Sequence, residues 1–191
     1  MHKQVRRHEP TRFGAINHGP AGSWRGILNS YVPVVLRSVG ESYFLVGVLV
    51  AVANAASIAG AGIMGLLRRF RQIEVFAIGV LTAAAGTALI GLTAKSVTIS
   101  VVLLAVGGIG AGLLQTLGPV MAANGVSPQQ KGDAVAIAGS FRAGALLVAP
   151  FFTAMLLGPL GMTAALIIVG GTLGLPIFAA KGVFQSCRSP A

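Results

Sequence analysis

The stretch GGIGAGLLQTLGPVMAANGVSPQQKGDAVAIAGSFRAGALLVAP, residues 107–150, joins two apolar runs through one polar turn, SPQQKGD. The first run covers residues 98–121 and is rich in glycine. The second covers 133–157 and carries Arg142 in its interior, ahead of Pro150. Twenty residues of helix extend about 30 Å, the thickness of a bilayer's hydrocarbon core. Neither run alternates polar and apolar residues, so membrane strands are excluded. Two crossing helices joined at one face of a membrane are expected.

Three further runs of crossing length flank this pair, at residues 43–67, 74–93 and 160–180. Only 9% of the 191 residues are charged, against about a quarter in a soluble domain, too few to build a water-facing surface. Mean hydropathy is +0.83. The 27 glycines suit helices that approach closely in lipid, where van der Waals fit replaces the hydrophobic drive. The fold class is therefore all-α integral membrane: five full transmembrane helices plus one short or truncated N-terminal helix. That last segment, residues 26–36, would span only about 16 Å as helix. The expected organisation is a polar, basic cytoplasmic tail over 1–24, a transmembrane domain over 25–181 and a short cytoplasmic tail over 182–191.

Charge placement refines the topology. Lys3, Arg6, Arg7, Arg12 and Arg25 precede the first apolar segment, Arg68, Arg69 and Arg71 form a cluster, and Lys131 lies in the next loop on that side. If residues 26–36 cross, eleven basic residues share one side and only Arg37 and Lys95 face the other. If they do not, the two sides are nearly equal. The positive-inside rule favours the crossing arrangement, with both termini cytoplasmic in a cell (inner or plasma) membrane. Charge asks for a crossing helix where length supplies half of one. The segment reads as the outer half of a helix whose beginning is missing or replaced. No apolar run lies within a signal peptide's reach of the basic N-terminus, so no cleaved signal is expected.

Arg142 is the polar residue that stands out. It lies about 13 Å into its helix. Ala138, Ala145 and Ala149 share its face, whereas Ile137, Phe141, Val148, Phe152 and Met155 form a bulky stripe elsewhere. Small residues mark the face that meets other helices, so Arg142 is expected to point into the bundle. No acidic residue lies inside a span to pair with it, and an intramembrane charge needs a partner. An anionic substrate is one candidate; carbonyls and amides such as Gln115 or Asn54 are another. Asn54 and Gln115 either line a cavity or hydrogen-bond between helices, and Asn29 and Tyr31 border the same region in the short segment.

Other chemistries find no support. The acids Glu9, Glu41, Glu74 and Asp133 sit in loops or at helix ends, and His2, His8 and His18 lie in the tail, so neither an acid–base pair nor a metal cluster is expected. GGIGAG at 107–112 lacks the preceding strand and following acid of a dinucleotide site. Gly108 with Gly112, and Gly170 with Gly174, read instead as GxxxG packing motifs, and Pro119, Pro150 and Pro176 as helix bends. The single cysteine, Cys187, forms no internal disulfide. The net charge of +10 is spread over loops rather than gathered on a face, which excludes nucleic acid as a partner. No cofactor and no enzymatic activity are expected.

The order of features resembles the C-terminal half of the major facilitator superfamily, helices seven (in part) to twelve. Residues 30–62 are similar to the end of a first helix, its loop and a second helix, with Pro33, Leu36, Gly40, Ser42 and Gly47 at the family's positions. Arg68, Arg69 and Arg71 fall where the family has its basic loop, without the preceding Asp, and residues 107–150 resemble the fourth helix, loop and fifth helix, with Lys131 at the usual basic position. The resemblance implies a secondary active transporter of a small solute, working by alternating access and present as about one six-helix half. Its partners would be the lipid bilayer and either a partner half or a second copy of the chain. The alternative is a non-transporting membrane protein, a truncated transporter remnant or an accessory subunit.

Overall fold

The computed structural model describes residues 9–178 apart from residue 125. The expected C-terminal tail 182–191, with His2 and His8, lies outside the described residues, as do the side chains of residues 9–18 and of Arg68. The helices are α1 (Glu9–Ser30), α2 (Val32–Ser38), α3 (Tyr43–Ile63), α4 (Gln72–Thr93), α5 (Val97–Asn124) and α6 (Lys131–Gly174). Short 3-10 turns at Leu66–Arg69 and Pro128–Gln130 precede α4 and α6. Among the described residues, four helices are long and apolar enough to cross a membrane: α3, α4, α5 and the stretch Pro128–Phe178, which contains α6.

That last stretch is two arms. Gly161 has φ 74° and ψ 171°, a left-handed conformation that favours glycine, and it follows Pro159. The chain turns back there. The first arm runs parallel to α1, with Gly22 against Arg142 and Gly26 against Leu146 and Pro150. The second runs antiparallel to α4, with Thr163 beside Gly91 and Gly170 beside Ala84 and Ala88. The expected division between 157 and 160 thus falls within a few residues of the turn. Pro119 and Pro150 lie inside helices as expected. Pro176 lies just beyond α6, after a turn at Leu175 that interrupts the helix.

The first helix differs from its expected length. Tyr31 N–H donates to the Ile27 carbonyl (2.8 Å) and Val35 N–H to the Tyr31 carbonyl (2.9 Å), so helical bonding passes from α1 into α2. Pro33 sits in the first turn of α2, and its missing N–H leaves the Asn29 carbonyl without its usual helical donor. Residues 9–38 therefore form one rod of about 45 Å, interrupted at Tyr31. The short helix inferred from residues 26–36 is its second half. The boundary expected at 24/25 falls within α1, where Ala21 and Trp24 are 0% and 3% exposed. What hid this helix is its composition. Pro20, Gly19, Gly22 and Arg25 break the apolar run, yet Gly22, with Gly26, is where α1 touches α6.

Small residues decide the other seams too. A Cβ on Gly108 would lie 2.5 Å from the Ala53 carbonyl oxygen, and one on Gly112 would collide with the Ser57 carbonyl, so α3 and α5 run parallel in near backbone contact. Gly79, Gly86, Gly107 and Gly110 form the antiparallel seam of α4 with α5. Of the second GxxxG, Gly170 packs against Ala88, whereas Gly174 has nothing near it. Two apolar clusters fill the remaining space. One surrounds Leu36, Leu49, Ile90, Leu104 and Leu166, and the other Ala21, Phe76, Val80, Leu114 and Leu117. Of the buried hydroxyls, Thr87 donates to the Ala83 carbonyl and Thr153 to the Ala149 carbonyl of their own helices, whereas Ser100 on α5 donates to the Thr93 carbonyl at the end of α4. In lipid, where water cannot serve them, such bonds satisfy these hydroxyls.

Candidate functional site

The first arm of α6 is sorted by size as its sequence suggests. Ala138 and Ala149 are 1% and 8% exposed, while Ile137, Phe141, Val148, Phe152 and Met155 are all exposed. Arg142 sits on the small-residue face, half-buried, and donates from one terminal guanidinium nitrogen to Gln115 Oε1 at 3.0 Å. Gln115 Nε2 donates to Ser57 Oγ at 3.0 Å. Ser57 is 5% exposed on α3. Its position there is fixed by the Gly112 contact one turn before Gln115. The carboxamide is thus held at its nitrogen end with its oxygen facing Arg142.

A second cation shares that oxygen. Arg25, half-buried on α1, donates to Gln115 Oε1 at 3.4 Å. The two donor nitrogens are separated by no more than the sum of the two hydrogen-bond lengths. Neither guanidinium has a carboxylate partner among the described residues. Two like charges about 6 Å apart repel by about 3 kcal/mol at an effective dielectric of about 20. A neutral amide oxygen offsets only part of that. The arrangement is held by packing. Gly22 and Gly26 bring α1 onto the Arg142 and Leu146 carbonyls, and Tyr31 Oη donates to the Pro150 carbonyl at 3.0 Å one turn further on.

Four helices contribute one residue each: α1 Arg25, α3 Ser57, α5 Gln115 and the first arm of α6 Arg142. Helix α4 and the second arm contribute none. The group lies about 9–16 Å along α3, α5 and α6 from the end of the bundle that carries the 66–71 and 125–131 connections. At that end Arg69 and Arg71 are exposed, as is Lys131 at the start of α6. Arg68 lies within the same 3-10 turn, one residue before its end. Arg71 also starts α4, its backbone N–H donating to the Glu74 carboxylate at 3.4 Å. Arg37 lies at the opposite end, with its guanidinium 3.9 Å over the Tyr43 ring and a hydrogen bond to the Glu41 carbonyl.

Of the residues singled out from the sequence, Arg142 and Gln115 meet directly. Asn54 lies on α3 one turn before Ser57, but its amide donates to the Val50 carbonyl of its own helix at 2.9 Å. Asn29 is exposed and one turn beyond Arg25 on the same face of α1. Tyr31 ties α1 to α6. Arg25 and Ser57 escaped the sequence reading, Arg25 because it was counted with the tail. The signal for it was the Gly22–Gly26 pair flanking it at helical spacing, the same small-residue pattern that marks the α5 seam.

The sequence matches the family model of the Major Facilitator Superfamily over residues 19–184. The chain belongs to this superfamily. Its fold is that of an integral membrane transport protein, with the match beginning inside α1. Among solved structures, it is similar to the xylose transporter XylE from E. coli in its inward-open conformation, with a TM-score of 0.69 at 19% identity. The similarity covers 95% of this chain and 46% of that one, so the superfamily chain described here spans about half the length of XylE. At this identity the likeness speaks for the fold. No curated protein sequence matches the chain significantly.

Proposed function

We propose that this major facilitator chain acts as one half of a secondary transporter that moves a small solute by alternating access. The facing wall would come from a partner half, a second copy or a further part of the same protein. The observation that carries this reading is the meeting of Arg142 and Gln115 inside an otherwise apolar bundle, on helices α5 and α6. An arginine within the membrane costs about 2.5–3.5 kcal/mol on the insertion scale and is kept where it serves a pathway. XylE is named for a sugar; two cations without a carboxylate partner among the described residues favour an anionic solute here instead.

Orientation follows from charge. In the described connections, Arg68, Arg69, Arg71 and Lys131 lie at the 66–71 end against Arg37 and Lys95 at the other, which supports a cytoplasmic 66–71 end and cytoplasmic termini. The inner or plasma membrane is the expected location.

The test is solute uptake by the active assembly containing this chain. Arg142→Gln, which keeps a polar side chain of similar reach, is expected to lower uptake at least about tenfold, as loss of a charge-assisted hydrogen bond would. Unchanged uptake at equal surface expression removes Arg142 from the pathway and the main support for this reading.

A further inference from the structure

Arg25 and Arg142 come from different helices and aim at one neutral oxygen. Each commits one N–H to Gln115 Oε1, and neither has another partner among the described residues. Gln115 cannot neutralise them. It can only fill the position where an anion's oxygen would sit, held there by Ser57. We infer that Arg25 and Arg142 form a two-guanidinium site for a soluble oxyanion, a carboxylate or phosphate group, with the Gln115 carboxamide occupying the anion position in the unloaded protein. This rests on the transport reading above and names the solute class for it.

Chemistry favours an oxyanion over a halide. A guanidinium presents paired N–H donors in one plane, matching two oxygens of a carboxylate or phosphate. Two such groups from adjacent helices can each take a separate oxygen of one ligand. The helices are already fixed at this level, since Gly22 packs on the Arg142 backbone and Gly26 on Leu146. Binding therefore asks mainly for the Gln115 oxygen to swing aside. Asn29, exposed one turn beyond Arg25, offers neutral polar atoms for the rest of the solute. The site's depth along α5 and α6, about 13–16 Å from the basic end, favours a dissolved anion over a lipid headgroup, which stays at the interface.

The chain carries its own reporter. Trp24 is its one tryptophan, buried and adjacent in sequence to Arg25. In nanodiscs of phosphatidylcholine, Trp24 emission of the full chain is titrated with sodium succinate and with sodium phosphate, against sodium chloride at equal ionic strength. A saturable change with at least one oxyanion and none with chloride is expected. Arg25→Gln and Arg142→Gln should each weaken the apparent affinity at least about tenfold, and Arg142→Lys less. Gln115→Ala should bind as tightly as the parent or more so, because the internal competitor is gone. No saturable change with either oxyanion, or an Arg25→Gln chain with parental affinity, overturns the site. A response lost when phosphatidylglycerol replaces phosphatidylcholine overturns the soluble ligand in favour of a headgroup phosphate. Binding is read here without transport. Oxyanion binding alongside Arg142-independent uptake would therefore sink the transport reading alone, and the converse would sink this inference alone.

Discussion

Gly112→Leu is expected to destabilise the folded chain strongly, whereas Gly174→Leu is expected to leave its stability unchanged. Both glycines close a GxxxG spacing, and their sequence surroundings give no reason to separate them. The structure does. A Cβ at Gly112 would collide with the Ser57 carbonyl and lie 2.9 Å from the Ala61 nitrogen, both backbone atoms of α3. No rotamer relieves that contact; the helices must part. Overpacking of a yielding core costs about 1–3 kcal/mol, and here a whole parallel seam separates, so a loss of at least about 3 kcal/mol is expected. That is a large share of a typical stability of about 5–15 kcal/mol. Gly174 has open space around its Cα. Unfolding in graded denaturing detergent, followed by helical circular dichroism, compares the two. Equal midpoints for the two variants would contradict the α3–α5 seam.

The second large effect is expected at Gly26. Its Cβ would lie 2.8 Å from the Leu146 carbonyl and within about 3.2 Å of the Pro150 ring, so leucine there pries α1 from α6. The displacement draws Arg25 away from Arg142 and breaks the Tyr31–Pro150 hydrogen bond. Helices α3 to α5 keep their own contacts, with α4 and α5 sharing a seam of four glycines. Gly26→Leu should therefore retain most of its helical signal and lose solute uptake almost completely. Uptake above about a tenth of the parental rate would mean that the α1–α6 seam does not position the site.

Much of this architecture is legible in the residues. The five long apolar runs set the helices because a hydrocarbon solvent demands continuous apolar length. The placement of Arg142 is legible because alanines and bulky side chains divide cleanly around its helix, and the buried Ala138 and Ala149 follow that division. Helix α1 is not legible in the same way. Its apolar length is interrupted by Arg25 and by residues such as Pro20 and Gly22, and its helicity depends on tertiary contacts with α5 and α6. Counted by charge, Arg25 groups with the basic residues that precede the first apolar segment, so its meeting with Arg142 is not legible from the sequence. Asn54 shows the opposite limit. An amide in mid-helix suggests a lined cavity, but a carbonyl four residues back is always within reach, and Asn54 takes it.

If the chain forms one half of a transporter, the face shared by α1, α5 and the first arm of α6 opens to water inside the membrane, whereas the exposed side of α4 meets lipid. Two positions test it. Asn29, two residues before the interruption of the α1–α2 rod, and Leu81, in the middle of α4, are both exposed, Leu81 being 57% exposed. With Cys187 replaced by serine, Asn29→Cys and Leu81→Cys are treated in native membranes with a charged, membrane-impermeant thiol reagent. The account predicts modification at position 29, slowed by the transported solute, and none at position 81. Modification at 81 with none at 29 would contradict it.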